Sequence, residues 1–334
     1  MNKRGLLVEA AAPITDDPLS VTSEGSWGAR VDAQSMRRLH IDHVTEYRFG
    51  VLVTPLPHRL RLRPRENHNL RIVDSKLEIS PAYGIRWQRD VLDNSVAVIT
   101  FTDRADRLRI ESTVLIEHYE DAPLDFVVED FAVRYPFQYQ AEDVLDLTPF
   151  RTPTWPGDRA EVMSWLGSLS LGASPIETFL LLDRLNRAIR DRFRYEVREQ
   201  PGVQSPRTTL TNGSGSCRDL AAFFTESCRH LGLASRFVTG YNLSYADVGN
   251  GSTHAWAEVY LPGPGWKGFD PTAGVVAGSS HIAVAVAHHP ETVPPVAGSF
   301  LGPSGIRPQM HVTVGVRESA VTVDPKKSDE SGPK

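Results

Sequence analysis

Between Gly213 and Gly274 the residue pattern changes from helical to strand-like in a fixed order, and this order restricts the fold more than any other feature. After GSGS at 213–216, Leu220, Phe223, Phe224, Cys228 and Leu231 recur at helical spacing from Cys217 onward, and Gly232 supplies a stop. The run His254–Leu261, HAWAEVYL, alternates and is rich in aromatic and β-branched residues, which predicts a strand. His254, Trp256, Glu258 and Tyr260 then share one face, and Ala255, Ala257, Val259 and Leu261 the other. PGPG at 262–265 predicts a tight turn, and WKGFD a second, antiparallel strand ending at Asp270 before Pro271. A helix followed by an antiparallel hairpin specifies an α+β core.

Three residues in this stretch carry chemistry. Cys217 stands at the first turn of the predicted helix, where unpaired N–H groups and the positive end of the dipole favour a thiolate over a thiol. The same N–H groups suit a developing oxyanion. The hairpin brings Asp270 beside His254, where a carboxylate fixes an imidazole tautomer and stabilises the imidazolium. Nucleophile, base and orienting acid therefore occur in that order, as thiol acyl transfer requires. Taken singly, each has a plainer reading: a small buried hydrophobe for a cysteine, which is how Cys228 reads, an ordinary strand histidine, and a turn-forming aspartate. Trp256 and Trp266 read as core or cleft wall.

The stretch resembles the core of the transglutaminase-like superfamily. The resemblance rests on Gly215-Ser216-Cys217-Arg218-Asp219, a Gly240-Tyr241 turn at the end of a strand, His254 to Tyr260 (HAWAEVY) and Gly265 to Thr272 (GWKGFDPT). It implies a papain-like core in which Cys217 is the nucleophile, His254 the general base and acid, and Asp270 the third member of the triad. Arg218 stands where many bacterial relatives have Gln, a change at the rim of the site.

Upstream, six β-rich runs follow one another without an intervening helix: 39–49, 58–65, 70–80, 85–93, 95–103 and 107–119. They predict an antiparallel β-sandwich, and His43 to Tyr47 with Leu62-Arg63-Pro64 resemble the N-terminal domain of bacterial transglutaminase-like proteins. The expected organisation is a disordered leader at 1–35, the sandwich at 36–150, the catalytic core at 151–318 and a disordered tail at 319–334. Prolines 123, 136, 149, 153 and 156 mark an irregular interdomain connection at about 120–160. A helix is expected next, with Ser174 as N-cap, Pro175 at its first position and Ile176, Phe179, Leu180, Leu182, Leu185 and Ile189 on its buried face. The loop through Pro201 and Pro206 is expected at the cleft rim. Val284–Ala287 and 311–316 read as further strands of the core.

Composition narrows the function classes. The net charge of −5 gives no electrostatic reason to expect nucleic acid. Arg59, Arg61, Arg63 and Arg65 alternate along one run and read as a solvated strand face, although steeply salt-dependent nucleic-acid binding is the alternative. His40, His43, His58 and His68 lack metal-ligand spacing, so neither metal nor other cofactor is expected. The 2 cysteines fit a reducing, cytoplasmic setting, the N-terminus does not read as a signal peptide, and no run is long enough to span a membrane. The expected chemistry is acyl transfer from an amide of a protein or peptide through a thioester. Hydrolysis by a cysteine peptidase or amidase is favoured over amine transfer or deamidation, and a non-catalytic scaffold is the reading from another class.

Overall fold

The structure, a computed structural model, describes residues 36–119, 124–172, 174–198, 200–243 and 252–319. The expected leader, and all but the first residue of the expected tail, lie outside them. Six strands open the described chain: β1 (Arg37–Pro55), β2 (His58–Leu60), β3 (Leu70–Ser80), β4 (Tyr83–Arg89), β5 (Ser95–Phe101) and β6 (Ala105–His118). One sheet has β1 beside β6 and β6 beside β3; the second has β2 beside β5 and β5 beside β4. Alternation puts Val53, Leu108 and Ile110 of the first sheet against Leu60, Ala97 and Ile99 of the second. This is the sandwich that period-two patterning requires.

The arginine run departs from its expected form. Only His58–Leu60 is strand, Arg61 is buried, and Arg65 donates to the Leu92 carbonyl at 2.9 Å and to Asn94 Oδ1 at 2.7 Å. The stripe is broken because β2 ends before its second arginine.

The connection at 120–160 is less irregular than its prolines suggest. A short pairing of β7 (Arg134–Tyr135) with β8 (Ile176–Glu177) encloses α1 (Ala141–Arg151) and α2 (Arg159–Ser168). Pro149 lies inside α1, which buries only Leu147 and Phe150, so the sequence carries little helical period. The next helix, α3 (Thr178–Arg192), starts three positions later than Pro175 implied, because Ile176 and Glu177 are taken up by β8. Its buried face uses Leu181 rather than Leu180, together with Leu182, Leu185 and Ile189.

A parallel pair, β9 (Arg194–Tyr195) and β10 (Ser214–Gly215), brackets α4 (Pro206–Asn212) and leads into α5 (Cys217–His230). Behind α5 lies a sheet of β11 (Ser235–Asn242), β12 (Ser252–Leu261), β13 (Gly265–Asp270), β14 (Val275–Val276) and β15 (His281–Ala287), in the order β14-β13-β12-β11-β15. Ala257, Val259, Leu261 and Phe269 meet Leu220, Phe223 and Phe224 of α5 there. Burying each phenylalanine stabilises the fold by about 1.5–3 kcal/mol. Gly240 and Tyr241 are inside β11 rather than in a turn.

The chain then returns to the sandwich. β16 (Val296–Ala297) pairs with β2, while β17 (Phe300–Leu301) and β18 (Gln309–Ser319) pair with β1. The run 311–316, expected in the core sheet, therefore completes the N-terminal one. Val314 and Val316 join Leu39, Ile41 and Ile116 against Tyr241, Ile282 and Val284, so the sandwich packs on the core sheet.

Candidate active site

Cys217 is the first residue of α5 and is partly exposed. Its backbone is held from both sides. The buried Asp219 carboxylate accepts from Ser216 N–H at 2.8 Å and Ser216 Oγ–H at 2.7 Å, which secures the start of the helix. It also accepts from Gln204 N–H at 2.8 Å and from Arg198 at 2.8 and 3.1 Å, tying down the loop in front of the cysteine. Burial alone would raise the Asp219 pKa, but these donors outweigh it and lower it. The sequence block contains Asp219 but gives no sign of this anchoring.

Every residue of α5 from Asp219 to His230 is buried, including a Glu226–Arg229 pair at 2.9 Å whose side chains are both 0% exposed. Arg229 donates to the carbonyls of Phe150, Ser235 and His288, and Glu226 accepts from the N–H groups of Thr154 and Trp155. The pair is thus satisfied, as a buried ion pair must be.

His254 lies opposite Gly240 in the β11–β12 ladder. A Cβ on Gly240 would come within 2.1 Å of the Ile282 carbonyl oxygen and 2.8 Å of the Trp256 ring, so glycine is required at this close approach. His254 hydrogen-bonds Cys217, and its Nε2 lies 2.8 Å from Asp270 Oδ2. Burial opposes charge on the ring, but the Asp270 and Cys217 interactions prevail and raise the His254 pKa to about 9. Burial likewise works against the Asp270 charge, while hydrogen bonds from two imidazoles lower its pKa well below the usual carboxylate range. Trp256 stacks on His254 at 6.2 Å between ring centroids and is itself buried.

The second imidazole belongs to His281, which no motif of the sequence marks. Its Nε2 lies 3.1 Å from the same Asp270 oxygen. A histidine beginning an apolar strand, with no recognisable spacing to Asp270, carries no signal in the sequence. His254, Asp270 and His281 offer one ligand atom each, all within 4.8 Å, a set capable of holding a metal ion. A cation there would displace both hydrogen bonds to Asp270.

Cys217 and His254 open onto a cleft of about 510 Å3, walled by Phe237, Val293 and Pro294 on an apolar side and carrying Arg218 and Glu291. The loop expected at the rim is there, with Pro201, Gly202 and Val203. Glu291 accepts from Val203 N–H at 3.2 Å, joining the two banks. Arg218 donates to the carbonyls of Arg198 and Gln200 and so braces the loop. Tyr195 is close enough for Cys217 and Asp270 to help raise its phenol pKa, behind burial as the main cause.

A helix-borne cysteine packed against a sheet-borne histidine and aspartate, with a β-rich region in front, defines a papain-like α+β protein. Two family models match: the transglutaminase-like superfamily core over residues 174–271 and the bacterial transglutaminase-like N-terminal region over 39–117. The chain thus carries, in order, a match to the bacterial transglutaminase-like N-terminal region and a match to the transglutaminase-like core. It is 28% identical over 281 residues to an uncharacterised protein of Mycobacterium tuberculosis, spanning 78% of this chain and 87% of that one. An uncharacterised Bacillus subtilis protein is 34% identical over 71 residues, 18% of this chain and 10% of its own. Among solved structures, a candidate cysteine protease from Cytophaga hutchinsonii superposes with a TM-score of 0.65 at 17% identity, covering 86% of this chain and 93% of that one. At that identity the likeness concerns the fold.

Proposed function

We propose that the protein is a thiol-dependent hydrolase acting on amide bonds of peptides or proteins, with Cys217, His254 and Asp270 as its catalytic residues. The observation carrying this reading is the placement of His254 between Cys217 and Asp270 with its pKa raised to about 9. With that pKa the ring carries a proton at neutral pH beside the sulfur. Cys217 Sγ attacks the amide carbonyl, and the backbone N–H of Cys217, at the first position of α5, receives the oxyanion. His254 passes its proton to the leaving nitrogen, leaving a thioester. It then takes a proton from water, whose oxygen attacks the thioester and releases the acid and the thiolate. Asp270 holds the ring throughout.

The partial exposure of Cys217 supports water as the acyl acceptor. The apolar bank of Phe237, Val293 and Pro294 suits an apolar side chain beside the scissile bond. The test is mass spectrometry of a diverse peptide and protein mixture with a primary amine present, comparing the native protein with Cys217→Ala. Chains cleaved only by the native protein support hydrolysis. Glutamines carrying the amine, or converted to glutamate, replace it with amine transfer or deamidation.

A further inference from the structure

We infer that His281 is a positioning residue of this site, holding Asp270 by a second imidazole hydrogen bond so that the carboxylate stays aimed at His254. The inference rests on the catalytic reading above and extends the triad to a fourth side chain.

The ring of His281 is itself fixed. It is the first residue of β15, across from Asn242 at the end of β11, and its N–H donates to the Gly278 carbonyl at 2.8 Å in a tight turn. Gly278 N–H points at His281 Nδ1 at 3.4 Å, and Ser280 Oγ lies 3.1 Å from the same nitrogen. An Nδ1 that accepts leaves the ring proton on Nε2, facing Asp270 Oδ2 at 3.1 Å. Asn242 lies 3.0 Å from that Nε2 through its Nδ2, itself a donor, so a proton on Nε2 requires the amide to be turned with its oxygen toward the ring; the Trp256 ring meets the imidazole edge-on at 5.2 Å. The ring is 4% exposed at its side chain.

Asp270 needs such a partner. Its Oδ1 accepts from Thr272 and Ala273 N–H at 2.9 and 3.4 Å, bonds that a turn supplies to any aspartate at this position. Its Oδ2 has the two imidazoles. Without His281 that oxygen is held by His254 alone, and only the turn N–H groups on Oδ1 fix the carboxylate independently of the base. Hydrogen bonding from His281 also lowers the Asp270 pKa, behind the larger effects of burial, which opposes it, and of His254.

The test uses alkylation of Cys217, which needs no substrate. The rate with iodoacetate relative to neutral iodoacetamide reports the positive charge on His254 and falls as that ring deprotonates. The titratable groups facing His254 are Cys217 from α5 and Asp270 from β13, with the His281 ring of β15 at 6.1 Å. In the native protein the fall is expected near pH 9. In His281→Phe it moves down by about one unit or more, because an opposite charge held within reach raises an imidazole pKa by that order. His281→Gln, which keeps an amide N–H for Asp270, restores it. A His281→Phe profile superimposed on the native one overturns the role of His281 and leaves the catalytic reading standing; a native profile with no such fall overturns both. Should the variants fold poorly, 15N-histidine NMR of the native protein decides. A proton on His281 Nε2 supports the assignment, and one on Nδ1 alone overturns it.

Discussion

Asp270 accepts four hydrogen bonds, two from turn N–H groups and two from imidazoles. Its hydrogen bond and charge, together with Cys217, raise the His254 pKa against a burial that works the other way. Asp270→Asn preserves the shape but removes the charge and permits the wrong tautomer. We expect kcat on any substrate identified to fall by about a hundred- to ten-thousand-fold with KM little changed, the pattern of an interaction made chiefly in the transition state. Steady-state kinetics with the substrate in hand check it. At this scale the sequence was informative about Cys217, His254 and Asp270 because they lie in dense local motifs. It was silent about His281 and the anchoring by Asp219, whose partners are set by where separate loops meet.

Among the elements, α5 shows how far periodicity can be read. Leu220, Phe223 and Phe224 mark the face on the sheet, and the alternation of 254–261 gives the hairpin side of the same contact. What periodicity could not reveal is that the opposite face of α5 is buried too, covered by α1, α2 and the 150–155 segment and satisfied by Glu226 and Arg229. The same blindness applies to α1 and α2, which bury only Leu147 with Phe150 and Val162 with Trp165 and Leu166, and so carry little helical period. Glu226→Ala leaves Arg229 charged, buried and unpaired, and is expected to cost about 3–5 kcal/mol. Chemical denaturation measures this as a lowered midpoint with an unchanged slope.

Across the whole molecule, the sandwich and the core sheet meet around buried histidines. His43 of β1 lies 3.1 Å from the Tyr241 hydroxyl of β11, and burial lowers its pKa to about 4; His118 at the end of β6 is lowered to about 4 by burial and by Arg37. A histidine depressed in the folded state contributes its full stability above about 6.5 and loses it as pH falls through about 4. His254 acts in the opposite sense, its contribution present below about 6.5 and lost as pH rises through about 9. Urea midpoints should therefore peak near pH 6.5 and decline on both sides, and His43→Gln should flatten the acid side. The six strands of the sandwich were legible as alternation, but the pairing of β18 with β1 was not, since a strand pattern does not name its partner. That pairing joins Arg38 to Ser319. During translation one edge of β1 stays open after β6 has paired with the other, and the segment that closes it is made only after the whole of α5 and the core sheet. Its row of bare N–H and C=O groups is open to pairing with another chain until β18 has been made.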